Sequence, residues 1–388
     1  MRFNEKAKEY EDYIINLRRD FHMNPELSYE EFRTSQKVCD ELKGMGIPYV
    51  RLENNCVVGR ISGSQKGKKI AIRADMDALP IVEENDRPYI SKNIGVMHAC
   101  GHDGHTAMLL GAAKLLIDIK DKLNGEVFLC FQSAEEVGGG AHEIIEYLEE
   151  QGGVDEVIAA HLWADIPSGN ISVVEGPRMA AGSTFTIEVI GRGGHGSRPD
   201  LAIDPIKPAS NIILAISSIP TNRYKTIEPL VVHVGKIEAG TMGNIFPQKA
   251  IIDGGIRSFS EYGENQARHF IKEIAENGAK IYGATANVIF KDGVPVVYNH
   301  RESVKKAEKV LEKLGTFKLD EFEPICASEN YGFFLQKYKG FLAFIGIRNE
   351  EKGIVYGQHH PKFDIDEYVL SKGSEFFAQY AHDFLNDI

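Results

Sequence analysis

The sequence predicts an α/β protein in two parts: a doubly wound α/β domain interrupted by an inserted α+β domain of the ferredoxin-like kind. Three observations predict it. Helical and strand patterns alternate through the first half of the chain. A β-α-β-β-α-β order then fills a segment of roughly 110 residues, an ordinary domain size. After residue 297 the pattern returns to helix, strand and helix. At 388 residues the chain is long enough for both parts. The expected division is 1–180 with 297–388 for the first domain and 181–296 for the insert.

The elements follow in order. Residues 5–22 and 29–46 carry apolar side chains at helical spacing. Residues 69–73, 126–132 and 156–160 read as short buried strands. Residues 106–119, rich in Ala and Leu at helical spacing, read as a strong helix. Gly63 to Lys69 lacks the spacing of a phosphate-binding loop and reads as a hairpin turn. The pattern changes near Pro177-Arg178-Met179-Ala180-Ala181-Gly182. A strand (184–190), a helix (204–219), two strands (230–237 and 248–257), a helix (264–282) and a strand (286–291) then give the insert. Repeats and low-complexity stretches are absent.

Composition narrows the function. Hydrophobic content of 43% and charged content of 26% are those of an ordinary globular protein. A formal net charge of -12 argues against nucleic-acid binding, which needs a basic surface. No apolar run spans a bilayer, and the charged first twenty residues do not read as a signal peptide. Cys39, Cys56, Cys100, Cys130 and Cys326 are too few and too scattered for a disulfide scaffold, so a reducing cytoplasm is expected.

Chemistry concentrates in a few stretches. His98-Ala99-Cys100-Gly101-His102-Asp103-Gly104-His105 places three histidines and a cysteine in eight residues, with glycines that let the backbone turn tightly. Thiolate and imidazole bind zinc-like divalent metals. Cys100 and His102 are the expected ligands, with His98 and His105 in support. Glu135-Glu136 ends an apolar strand and precedes three glycines. Two carboxylates there repel unless a cation or proton neutralises one; a metal on one leaves the other as a base. Taken singly, His161 reads as a satisfied core histidine and His359-His360-Pro361 as a polar loop. The combination points to a metal site. Asp75-Met76-Asp77, Glu135-Glu136 and His161 each follow a predicted strand, where doubly wound sheets bind ligands. Gly191-Arg192-Gly193-Gly194-His195-Gly196 matches the dinucleotide fingerprint in letters only. Pro199 and Pro205 keep a helix from opening there, and no acid ends a following strand.

These stretches resemble the M20-type metallopeptidases, in the amidohydrolase branch of N-acyl-amino-acid, hippurate and auxin-conjugate hydrolases. The resemblance is carried by Leu17-Arg18-Arg19-Asp20-Phe21-His22 with Pro25-Glu26-Leu27-Ser28, by Arg73-Ala74-Asp75-Met76-Asp77-Ala78-Leu79-Pro80, and by His98 to His105. Ser133-Ala134-Glu135-Glu136, Gly193-Gly194-His195-Gly196 and His359-His360-Pro361-Lys362-Phe363 complete it. It implies a zinc-peptidase-like catalytic domain and an insert acting as lid and dimerisation domain. It implies two divalent ions per subunit (Mn, Zn, Co or Ni) on Cys100, His102, Glu136, His161 and His359, with Cys100 bridging and Glu135 as general base. His195 would stabilise the oxyanion, reaching the partner subunit's site of a homodimer or homotetramer. Asn244 and Arg257 would hold a substrate carboxylate. The implied activity is hydrolysis of N-acyl amino acids.

Two departures stand out. Asn330 follows Glu329 where relatives often carry aspartate, and His360 sits beside His359. The family's His two residues before Pro favours His359. Three rival readings remain: a dipeptidase or carboxypeptidase of the same family, a hydrolase with Cys100 as nucleophile, and a silent relative that only binds a small ligand.

Overall fold

The computed structural model describes residues 3–388. The chain forms two compact units. The first comprises residues up to Gly176 with Tyr298–Glu323 and Asn330–Ile388, and the second Pro177–Val297 with Pro324–Glu329.

The first unit is built on an eight-stranded mixed sheet. Its strand order is Tyr49–Arg51, Val57–Ser62, Asn124–Gln132, Gln65–Asp75, Glu156–Pro167, Gly340–Arg348, Asn170–Ser172 and Lys318–Leu319. The four middle strands are parallel, and apart from the first half of Gln65–Asp75 they are almost wholly buried, as continuous apolar runs require. Helices His102–Ile117 and Leu370–Leu385 share one apolar core with them. The first of these is buried on every face but two residues, which accounts for its Ala/Leu/Met composition. Pairing between Gln65–Asp75 and Glu156–Pro167 stops at Arg73 and Ala159. Beyond that rung the two strands part, and the gap lies at their C-terminal ends, where such sheets place ligands.

Several expectations are corrected. The N-terminal helix is two helices, Asn4–Glu9 and Glu11–Met23, broken at Tyr10. The helix expected from 106 begins at His102, because Gly101 (φ 93°) supplies the left-handed turn before it. His161 lies within a strand running to Pro167, not after one. Residues 63–69 are not a hairpin. The strands on either side do not pair; Asn124–Gln132 lies between them. The chain crosses closely instead: a Cβ on Gly63 would sit 2.0 Å from the Leu123 carbonyl oxygen.

The second unit is a four-stranded antiparallel sheet in the order Leu230–Ala239, Lys249–Ser258, Ala181–Ile190, Thr285–Val294. Helices Ile206–Ile216 and Glu261–Ile281 cover one face. Ser260 caps the longer helix by accepting from the Gly263 N–H. The expected 204–219 helix ends at Ile216, and a separate turn, Ile219–Asn222, follows. Pro324–Glu329, expected in the returning segment, belongs to this unit. Ala180 N–H donates to the carbonyls of Ile325 and Ala327, and Ile325 N–H to that of Arg178.

Candidate metal centre and its surroundings

Four groups of three potential ligands lie among the described residues of the first unit, the donor atoms of each within 4.8 Å of one another: Cys100 with His102 and His161, Cys100 with Glu136 and His359, Asp75 with His102 and His105, and His102 with Glu135 and Glu136. Cys100 is common to the first two, and together those two use all five residues named as ligands. The Cys100 Sγ to His161 Nε2 distance is 3.6 Å, His359 Nε2 to Glu136 Oε1 3.5 Å and His102 Nε2 to Glu136 Oε1 3.9 Å. All five residues named as ligands from the sequence are therefore brought together.

His102 and His161 are each aimed by the other ring nitrogen. His102 Nδ1–H donates to the Asp77 carbonyl (2.9 Å) and carboxylate (3.1 Å), leaving Nε2 facing the group. His161 Nδ1–H donates to the Leu162 carbonyl at 2.8 Å, leaving Nε2 towards Cys100. Metal-binding histidines are commonly oriented this way. His105 uses both nitrogens, Nδ1–H to Asp75 at 2.6 Å and Nε2 accepting from Leu162 N–H at 2.9 Å, so it braces the site without a free donor. His98 is buried with no hydrogen-bond partner among the described residues. Arg18 and His22 both donate to Asp103, next to His102, at 2.9 and 2.7 Å. The Leu17-to-His22 motif therefore holds the first turn of the helix that carries His102.

His359 and His360 separate cleanly. His359 adopts φ 64°, its N–H bonded to the Ala99 carbonyl at 2.7 Å, which turns its ring to Glu136. His360 stacks on Tyr356 with ring centroids 4.3 Å apart.

The residues fit divalent metal. His102 Nε2 and Glu136 Oε1 are buried without a hydrogen-bond partner among the described residues, a state that costs free energy unless something satisfies it. Burial, then Glu136 beside it, pushes the Cys100 thiol well above its ordinary pKa. Burial opposes charge on His102 too, yet Asp75, Cys100 and Asp77 hold its pKa well above the imidazole range. Burial keeps His161 neutral. A divalent cation would displace both protons and satisfy both orphan atoms.

Glu135 sits one residue before Glu136 in a short 3-10 turn, Glu135–Val137. One of its oxygens accepts from the Asn330 N–H at 3.0 Å. Ala134, at φ 57°, leads into the turn, and its N–H donates to buried Glu31 at 2.7 Å. No motif marks Glu31 in the sequence, where it falls inside the expected 29–46 helix; that helix runs instead over Phe32–Gly44 and leaves Glu31 just before it.

The second unit carries the other three named residues. Gly194–His195 pairs with Ile245–Phe246, and Gly196 N–H donates to the Asn244 carbonyl, so His195 and Asn244 are neighbours. His195 Nδ1 accepts from the Ser197 N–H at 3.1 Å, which leaves Nε2–H as the exposed donor. Arg257 is elsewhere. It lies beside Gly182 at the far end of Lys249–Ser258, eight residues from Lys249, or roughly 25 Å at about 3.3 Å per residue. Within one subunit Asn244 and Arg257 do not converge. Arg257 makes one bond within the protein, Nη1–H to the Ile256 carbonyl, and has no acidic partner among the described residues.

Comparison with known proteins agrees with this architecture. The model of peptidase family M20/M25/M40 matches residues 71–383. Thermostable carboxypeptidase 2 of Saccharolobus solfataricus is 43% identical, over 98% of this chain and 97% of its own. N-acyl-L-amino acid amidohydrolase of Geobacillus stearothermophilus is 41% identical, over 74% of this chain and 78% of its own. The crystal structure of the Bacillus subtilis YXEP protein, a dinuclear metal binding peptidase from the M20 family, superposes with a TM-score of 0.87 at 33% identity, covering 98% of this chain and all of that one. The chain belongs to the M20/M25/M40 peptidase family.

Proposed function

We propose that the protein is a two-metal amidohydrolase that releases a free amino acid from an N-acyl amino acid. One observation carries the reading: two ligand triads share Cys100 and lie beside a carboxylate, Glu135, that neither triad uses. Cys100, His102 and His161 would hold one ion, and Cys100, Glu136 and His359 the other. Thiolate and imidazole donors suit zinc, cobalt or nickel better than magnesium or calcium, and the Glu136 carboxylate also suits manganese. The ions would supply Lewis acidity, polarising the scissile carbonyl and easing ionisation of water.

The protein's own groups do the rest. Glu135 takes a proton from the attacking water and returns it to the leaving amine nitrogen. His195 donates Nε2–H to the oxyanion as the carbonyl becomes tetrahedral. Arg257, lacking an acidic partner, takes the substrate's carboxylate through paired bonds. The separation of His195 and Asn244 from Arg257 along one strand supports a division of labour between two copies. We read the Pro177–Val297 unit as lid and dimerisation domain. Leu230–Ala239 is an edge strand exposing Val231 and Ile237, and such edges readily pair with a second chain. All five cysteines are free, which suits a reducing compartment such as the cytoplasm.

A carboxypeptidase reading is favoured by the 43%-identical relative of that name. It concerns the same bond, with a peptide in place of the simple acyl group. Rates on N-acetyl, N-benzoyl and peptidyl forms of one amino acid separate the two. The wider proposal is tested by chelation and by Glu135→Gln. Chelation should abolish turnover and divalent metal restore it, while Glu135→Gln should keep its metal and lose about 10²–10⁴-fold in rate. Full activity in metal-free protein sinks it.

A further inference from the structure

Asn330 is fully buried beside the turn that carries Glu135. Its backbone N–H donates to Glu135 Oε1 at 3.0 Å. Its side-chain Oδ1 accepts from Gln132 Nε2 at 2.8 Å and from Arg73 Nη2 at 3.1 Å, and its Nδ2 donates to the Gly139 carbonyl at 2.8 Å. Gln132 closes the ring, accepting from Arg73 Nε at 2.8 Å and donating to the same Gly139 carbonyl at 2.9 Å. Arginine can only donate, so Arg73 fixes which end of each amide is oxygen. Gly139 N–H bonds back to the Ala134 carbonyl, so its peptide closes the turn holding Glu135 and Glu136.

We propose that Asn330 is a positioning residue for the base Glu135, and that the role needs the amide. The proposal rests on the reading of Glu135 as base. One side of Asn330 grips the carboxylate, the other grips the turn that carries it, and Arg73 with Gln132 holds Asn330 in place. An aspartate has the same shape but no donor. It would set a carboxylate oxygen against the Gly139 carbonyl oxygen, acceptor facing acceptor, and the turn or the Asn330 N–H must then move. A displacement of about 1 Å at a reacting group can cost 10²-fold in rate.

The experiment compares Asn330→Asp and Asn330→Ser in the wild-type and Glu135→Gln backgrounds, in metal-loaded enzyme, with whichever N-acyl amino acid is turned over fastest. In the wild-type background Asn330→Asp should lower kcat about 10- to 100-fold, with KM within twofold and bound metal unchanged, while the buried acceptor pair lowers Tm. In the Glu135→Gln background the same change should cost less than about twofold, because the group it positions is gone. If Asn330→Asp loses metal or folds poorly, Asn330→Ser, which brings no charge, decides by the same reading. Wild-type kcat in the deciding variant, or a full loss repeated on top of Glu135→Gln, overturns the proposal. Glu135→Gln at the wild-type rate would instead remove the base, and this inference with it.

Discussion

The two units present their functional side chains in opposite ways. In the first, His102 and His161 are buried and Cys100 and Glu136 half-buried, with only His359 exposed, and Asp77, Asp75, His105 and Leu162 brace the two buried imidazoles from behind. In the second, His195 and Asn244 stand exposed on a two-stranded ribbon, and Arg257 sits half-buried on the open face of a sheet. The first set is assembled by folding alone. The second set is divided along one strand, and under the proposed division of labour a second copy would bring its members to one substrate. Metal binding should therefore survive any change confined to the second unit, while turnover should not.

The largest expected effect tests the buried set. Cys100→Ala removes the ligand common to both triads. Metal content should fall below two equivalents, and the rate should drop by roughly 10³–10⁴-fold or more, the several kcal/mol that Lewis acidity contributes. Two tightly held ions in Cys100→Ala, measured by elemental analysis, would mean Cys100 is not shared.

His195→Ala tests the exposed set. It should keep two metals and an unchanged Tm, yet lose about 10²–10³-fold in kcat, the usual cost of an oxyanion donor. Mixed with Glu135→Gln, it should regain part of the activity if His195 serves the partner's site. No rescue in demonstrated heterodimers would place His195 in its own subunit's site and erase the contrast drawn between the units. Arg257→Ala is expected to cost less, about 10- to 100-fold in kcat/KM for substrates with a free carboxylate, the size of a lost charge-assisted bond. The loss should vanish for the corresponding carboxamides.

The same contrast explains what could be read from the sequence. Strand-end motifs were legible because an apolar run followed directly by Glu135-Glu136, or a helix starting at Cys100-Gly101-His102, links chemistry to local structure. What depended on distant chain segments was not legible. The family's His two residues before Pro favoured His359 over His360, but the contacts that separate them in space, a bond to the Ala99 carbonyl and the Tyr356 ring, are not visible in spacing. Asn330 looked like a departure from pattern until Arg73, Gln132 and Gly139 surrounded it. The family resemblance made Asn244 and Arg257 one carboxylate clamp; both flank one strand, and the strand's length is what separates them.

The smallest expected effect concerns stability. Glu31 is fully buried, one oxygen accepting from the Ala134 N–H and the other without a hydrogen-bond partner among the described residues. Burial is the main cause that pushes its pKa from 4.5 up to about 7, with the nearby Asp77 charge adding to it. A carboxyl whose folded pKa is raised binds its proton more tightly in the native state. Its contribution to stability is therefore complete below pH 4.5 and lost as pH rises through about 7, a span worth roughly 3 kcal/mol at most. Glu31→Gln mimics the protonated form and can still accept from Ala134. The stability of this variant relative to wild type should therefore rise between pH 4.5 and pH 8, by up to that amount. Because the two proteins share every other titrating group, urea denaturation of both at several pH values isolates this carboxyl. A difference that stays flat with pH would mean Glu31 remains ionised, stabilised by the Ala134 turn strongly enough to offset its burial.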